Sequence, residues 1–127
     1  MQLAAVALGG AIGSALRYLL GLALPRAGIV VPWGTLLVNV AGAFALGWLL
    51  RALPASAVSP ASPALRLALT VGLCGGFTTF SAFSVETLAL LEAGATARAL
   101  LYVAASVLLS VAAAWAGGAM ATAVAAR

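Results

Sequence analysis

Between Gly72 and Glu86 the chain reads Gly-Leu-Cys-Gly-Gly-Phe-Thr-Thr-Phe-Ser-Ala-Phe-Ser-Val-Glu. The stretch lies in an apolar region long enough to cross a bilayer, yet it carries three glycines, two threonines, two serines and an acid. Glycine lowers helix stability by roughly 1 kcal/mol against alanine, so the Gly75-Gly76 pair predicts a break in the helix. Irregular backbone at membrane depth persists only where protein buries it or where it lines a water-filled cavity. Freed carbonyls there can hold a cation, and freed N–H groups can face an anion. The stretch therefore reads as a broken transmembrane helix at an ion site.

Further polar residues fall in rows. Thr35 and Asn39 are four apart and share one helix face. Tyr102, Ser106 and Ser110 recur at i+4 on another helix. Beyond the break, Thr79, Phe83 and Glu86 follow one face, Phe80 and Phe83 are three apart, and Ser81 and Ser84 form a further pair. Each row has an ordinary explanation. Serine in a membrane helix often bonds back to a carbonyl one turn earlier, and the phenylalanines suit lipid or core. Asn39 is harder to dismiss, because its amide needs several partners. Together the rows point to an anion: hydroxyls and an amide donate hydrogen bonds, and aromatic ring edges carry partial positive charge. No acidic ring selects cations, and Arg17 is placed to draw anions into a vestibule. Glu86 opposes such a path. It either accepts bonds from Thr79 or another hydroxyl, or is protonated by burial, or sits at the interface near the end of its helix.

Composition narrows the class. Of 127 residues, 65% are hydrophobic and 6% charged, against a usual charged share of about 25%. The chain has no histidine, lysine or aspartate, and its six arginines stand singly, so no basic stripe follows nucleic-acid phosphates. The single cysteine, Cys74, forms no internal disulfide and reads as a small buried apolar residue. Without histidine, a cysteine cluster or facing carboxylates, the parts for acid–base or metal chemistry are missing and an enzyme is not expected.

The fold class expected is an all-α integral membrane protein with one domain over residues 1–127. A spanning helix takes about 20 mostly apolar residues, and four stretches qualify: Leu3–Leu24, Trp33–Leu53, Leu65–Leu91 and Ala97–Ala125. The third is expected to break near Gly75–Thr79. The first has no basic leader and is interrupted by Arg17, so it is not a signal peptide. Pro25 and Pro32 bracket the first loop, Pro54–Pro63 forms the second, and Thr96 is a candidate cap for the fourth helix. Gly9 and Gly13 make a GxxxG pair continued by Arg17 and Gly21, and Gly34, Gly42 and Gly47 give helix two its small positions. With the N-terminus on side one, Arg51, Arg66 and Arg127 fall on side one. Arg17, Arg26 and Arg98 fall on or towards side two. This even tally leaves the positive-inside rule almost nothing to act on. It predicts insertion in both orientations and permits an antiparallel homodimer; a single orientation set by other factors is the alternative.

Three motifs are more specific. Gly9-Gly-Ala-Ile-Gly-Ser-Ala-Leu-Arg-Tyr18, Gly34-Thr-Leu-Leu-Val-Asn-Val-Ala-Gly-Ala-Phe44 and Gly75-Gly-Phe-Thr-Thr-Phe-Ser-Ala-Phe-Ser84 resemble the Fluc-type fluoride channels (the CrcB family) over essentially the whole chain. The resemblance implies a multi-pass protein of the cell (inner) membrane. It would be an antiparallel dual-topology homodimer with two fluoride pores and one central structural sodium ion. Passive flow would lower cytoplasmic fluoride. By matching positions, the backbone carbonyls of Gly75 and Thr78 would hold the sodium. Asn39, Phe80, Phe83, Tyr102, Ser106 and Ser110 would line the fluoride path, and Thr79 and Glu86 match its polar track on the third helix; Thr35, on the face of Asn39, is placed on the same path by its spacing. Arg17 matches the vestibule arginine. Ala82 stands where the family usually has threonine, which removes one hydroxyl. Two other classes compete. A small multidrug-type exporter shares four helices and dual topology but needs a proton-exchanging membrane acid, and only Glu86 is available. A non-transporting membrane subunit would leave the coordinated rows without a purpose.

Overall fold

The computed structural model describes residues 1–23, 31–54 and 62–127. All regular structure among them is helical: α1 (Gln2–Ala23), α2 (Trp33–Ala52), α3 (Ser62–Leu67), a π-helical segment (Ala68–Cys74), α4 (Gly75–Phe77), α5 (Phe80–Glu92) and α6 (Thr96–Ala125). Four runs are long and apolar enough to cross a membrane: Gln2–Ala23, Trp33–Ala52, Pro63–Glu92 and Thr96–Ala125. They correspond to the four expected spans within a few residues. Of the expected loops, Pro25, Arg26 and most of Pro54–Pro63 lie outside the described residues.

Two expectations are corrected. The helix does not break at the Gly75-Gly76 pair, since Gly75 is helical at φ −66°, ψ −38°. The break falls at the far end of the expected Gly75–Thr79 stretch, where Thr78 (φ −79°, ψ 159°) and Thr79 (φ −150°, ψ 118°) are extended. Nor does Thr96 cap α6. Thr96 is its first helical residue, and Ala95 occupies the capping position without a side-chain bond. The short turn before α6 is instead shaped by Gly94, whose φ of +70° glycine tolerates at no steric penalty. Ala93 and Gly94 N–H donate back to the Ala89 and Leu91 carbonyls there, and Ala95 N–H to that of Leu90.

The helices associate as two close pairs. The α2 and α6 helices run along each other, and α1 runs along the π-helical segment and α4. Between the pairs, α1 and α2 touch only briefly. Small residues make both pairs possible, because backbones can approach where no Cβ intervenes. A Cβ at Gly9 or Gly13 would overlap the carbonyl of Ala68 or Leu73, so the GxxxG row seen in the sequence faces the third span. A Cβ at Gly47 or Gly117 would likewise overlap the Ala114 or Phe44 carbonyl. After the break, α5 leaves the first pair and leans on α6. There Leu36, Leu90, Ala99 and Tyr102 form a buried cluster, with Val31, Val40, Phe83 and Ala95 packed on it. Cys74 is buried, as expected. Across the undescribed second loop, Arg66 Nε donates to the Leu53 carbonyl at the end of α2 (3.0 Å), a cation meeting a helix C-terminus.

Most of the apolar surface faces outward, including Leu8, Ile12, Leu100, Leu108 and Trp115. That pattern suits hydrocarbon surroundings rather than water.

The glycine contacts yield a paired test. Gly117→Ala forces α2 and α6 apart and lowers stability in detergent by about 1–3 kcal/mol, the usual range for overpacking. Gly21→Ala, with nothing within 4 Å of the new methyl, leaves it unchanged or slightly raised. Thermal unfolding of the two variants checks this, and equal losses in both would show that close approach at Gly117 is not limiting.

Candidate ion site at the helix break

The break at Thr78-Thr79 diverts two backbone donors. In a continuous helix Thr79 N–H would return to the Gly75 carbonyl and Ala82 N–H to that of Thr78. Instead Thr79 N–H donates to Asn39 Oδ1 at 2.8 Å. Ala82 N–H donates to Thr79 Oγ1 at 3.2 Å, the N-cap bond of α5. Asn39 completes a clamp, since its Nδ2 donates to the Thr79 carbonyl at 3.1 Å. One side chain on α2 thus takes over both the N–H and the C=O of Thr79. Gly42, one turn along α2, makes room for it: a Cβ there would overlap the Thr78 methyl. The Thr78 hydroxyl turns back to the Cys74 carbonyl (2.9 Å), which also accepts Thr78 N–H at 2.9 Å.

On the other side of the break, Arg17 Nε donates to the Gly76 carbonyl at 3.1 Å, and Ser14 Oγ reaches the same oxygen at 3.5 Å. Arg17 thus extends the Gly9–Gly13 row of α1 onto the end of α4.

The Gly75 and Thr78 carbonyls have therefore lost the donors that a regular helix would bring. Gly75 lies on the exposed surface with nothing within 4 Å of its Cβ position. Hard cations favour such oxygens, so these two residues fit a sodium ion. Among the described residues no three of His, Cys, Asp and Glu come together to offer a side-chain site.

Glu86 is the second focus. Thr35 Oγ1 donates to its Oε1 and Tyr102 Oη to its Oε2, each at 2.7 Å. Of the readings left open by the sequence, acceptance from hydroxyls is the one found, though not from Thr79, whose Oγ1 shares a 3.1 Å hydrogen bond with Ser81 Oγ. Tyr102 is fully buried. Its bond ties α6 to α5, and that of Thr35 ties α2 to α5. Thr35 and Asn39 do share a face, and that face meets α5 at Glu86 and Thr79.

The aromatic residues form a ladder. The Phe80 and Phe83 centroids are 5.4 Å apart, and those of Phe83 and Tyr102 5.3 Å, with rings tilted by 45° and 47°. At these angles the rings do not stack face to face. Phe80 is 78% exposed at the outer end. At the inner end Ser106 is buried beside Tyr102, and its hydroxyl has no partner at hydrogen-bond geometry among the described residues. It does not bond back along α6, unlike Ser84 and Thr87, which return to the Phe80 and Phe83 carbonyls. Ser110 lies one turn further along the same stripe, half-buried and outside the cluster.

A cavity of about 600 Å³ opens between α1, α2 and α5. Arg17, Thr35, Thr79 and Glu86 line it. Ser14, Tyr18 and Trp33 also line it and were not singled out in the sequence. Ser14 carried a signal, standing one residue after Gly13 within the first motif and one turn before Tyr18. The π-helical segment carried none.

Comparison with known proteins follows the same outline. Residues 4–118 match the family described as CrcB-like protein, Camphor Resistance (CrcB). A protein of Rhizobium meliloti (strain 1021) named "Fluoride-specific ion channel FluC" is 52% identical over 113 residues, 88% of this chain and 89% of that one. Proteins of the same name from Agrobacterium fabrum and Rhodospirillum centenum are 47% and 51% identical over 118 and 114 residues. These alignments cover 92% and 89% of this chain, and 93% and 89% of theirs. A match spanning nearly all of both partners, on a chain with four apolar spans and a broken third one, places this multi-pass membrane protein in the CrcB family.

Proposed function

We propose that this protein is a fluoride-selective channel through which the anion leaves the cytoplasm passively, driven by the inside-negative potential. It works as an antiparallel dual-topology homodimer in the cell (inner) membrane, with two pores. The observation that carries this reading is the line Phe80–Phe83–Tyr102 ending at the buried, unpartnered Ser106 hydroxyl. A small, strongly hydrated anion needs short donors in place of its water. Ring edges and a hydroxyl with a proton to give supply them without a full charge that would trap the ion. The names of the relatives support fluoride as that anion.

Each residue has a part. Phe80 and Phe83 present edges to the ion, and Ser106 and then Ser110 offer hydroxyls along α6. Thr35 and Tyr102 hold the Glu86 carboxylate through both of its oxygens, keeping its charge turned to them rather than to the path. Asn39 fixes the break and retains a second Nδ2–H for the ion. Arg17, on the cavity wall, draws anions inward. Thr79, which caps α5, sets where the ladder begins.

A sodium ion held by the Gly75 and Thr78 carbonyls would supply a fixed positive charge joining the two breaks across the dimer axis. Two-fold symmetry doubles the two carbonyls to four. The exporter alternative requires an acid free to exchange protons, and the double hydrogen bonding of Glu86 gives it no support.

Liposomes containing the purified protein should release fluoride rapidly under an imposed voltage, with little chloride and no need of a pH gradient. Fluoride release that requires a proton gradient would make the protein a carrier, and none at all from a folded dimer would remove the channel reading. Phe80→Ile and Phe83→Ile should each reduce flux while the dimer, checked by size-exclusion chromatography, still assembles. Unchanged flux in both would strip the ladder of its role. Asn39→Asp removes the Nδ2–H donors, leaves the Thr79 carbonyl unpaired and should lower both flux and melting temperature, an unsatisfied buried group costing about 1–3 kcal/mol. A melting temperature equal to that of the unmodified protein would show that the clamp is not needed.

A further inference from the structure

We infer that Arg17 is the positioning residue of the cation site, and not only an attractor of anions. The inference rests on the sodium reading above. It starts from the single bond that Arg17 makes across the break. Its Nε–H meets the Gly76 carbonyl at 3.1 Å, and Gly76 lies between the two residues whose carbonyls are offered to the ion. In a regular helix the Gly76 carbonyl would accept from Phe80 N–H. The chain turns extended at Thr78, so that donor is carried away, and the guanidinium stands in its place. Gly76 therefore stays in helical register beside Gly75, which is itself helical and exposed.

The approach of Arg17 to that oxygen is itself enforced. Gly9, Gly13 and Arg17 are successive i+4 positions on the α1 face that meets the third span. Backbone contact at Gly13 with Leu73, and of Gly76 with Gly10, brings the helices so close that the arginine one turn on has no need to stretch. The bond is directional, because Nε–H lies in the guanidinium plane. Ser14 reaches the same oxygen only at 3.5 Å and cannot replace it. Without Arg17 the Gly76 carbonyl is free to turn towards a cation or water, and the neighbouring carbonyls lose their fixed direction. A site made of carbonyls alone discriminates by geometry, so losing that direction weakens sodium binding before it affects any side chain on the fluoride path.

The test measures sodium directly. The purified dimer is melted in detergent over a series of sodium chloride concentrations, with N-methylglucamine chloride holding ionic strength constant. In the unmodified protein the melting temperature should rise with sodium and saturate. In Arg17→Met, which removes the donor without leaving a buried charge, the sodium concentration at half-maximal stabilisation should increase about tenfold. That matches the loss of one charge-assisted hydrogen bond. Arg17→Lys, which keeps the charge and a donor but not the planar geometry, should fall between the two. It also serves if the methionine variant does not fold. Fluoride flux is measured in parallel.

An unchanged sodium midpoint in both variants, with a raised fluoride requirement that grows at low ionic strength, overturns the assignment and leaves Arg17 as an attractor alone. An unmodified protein whose melting temperature ignores sodium overturns the cation reading itself, and the assignment with it.

Discussion

Backbone that leaves a helix inside hydrocarbon must find other partners for its amides, and the whole arrangement turns on how that is done at Thr78-Thr79. An unsatisfied buried peptide group there would cost about 1–3 kcal/mol. The Asn39 side chain meets the demand by donating to the Thr79 carbonyl and accepting from its N–H. It imitates a neighbouring peptide strand with a single amide. Once the peptide is held, α5 can set out in a new direction with Thr79 as its cap, and α4 can end with its Gly75 carbonyl released from Thr79 N–H and its Gly76 carbonyl taken by Arg17. Without the clamp neither the cation reading nor the aromatic ladder has a frame.

The two close helix pairs explain how one amide suffices. Glycine contacts join α1 to the third span before the break, and α2 to α6, through backbone rather than side chains. Such contacts leave little play. The α5 helix, in contrast, is joined to α2 and α6 mainly at discrete points: Thr35 and Tyr102 on Glu86, Phe83 on Tyr102, and the Leu36–Leu90–Ala99 cluster. Rigid scaffolding and point attachment are thus separated along the chain, and the proposed path runs between them, with Phe80 and Phe83 on the point-attached α5 and Asn39, Tyr102, Ser106 and Ser110 on the rigid pair.

Much of this was legible in the sequence, and the limits have physical causes. Span count and approximate ends follow from apolar length alone. The faces follow from helical period, which correctly put Thr35 with Asn39 and Gly9 with Gly13. Period does not reveal which face meets which, so the Thr35–Glu86 bond, 51 residues apart in the chain, stayed hidden and Thr79 was an equal candidate. The break lies within the expected Gly75–Thr79 stretch but not at the glycine pair, because glycine has two uses. At Gly76 it permits close approach to Gly10, and the helix continues through it. The chain breaks instead where Thr78 and Thr79 find side-chain and cross-helix partners, a property of the environment rather than of propensity. Thr96 failed as a cap because Gly94 had already set the turn. The π-helical segment has no pattern of its own, being a register adjustment that emerges only when α1 packs against it.

The short turn at Ala93–Ala95 has a consequence for how the molecule is made. With α5 and α6 joined so closely, the two enter the bilayer as a helical hairpin, and Glu86 and Tyr102 are only 16 residues apart. Bringing such near neighbours together has a small entropic penalty, so their bond can form before α2 is in place. The carboxylate, costly to insert alone, travels with its phenol. Thr35, far earlier in the chain, adds the second bond to the same carboxylate across a separation of 51 residues.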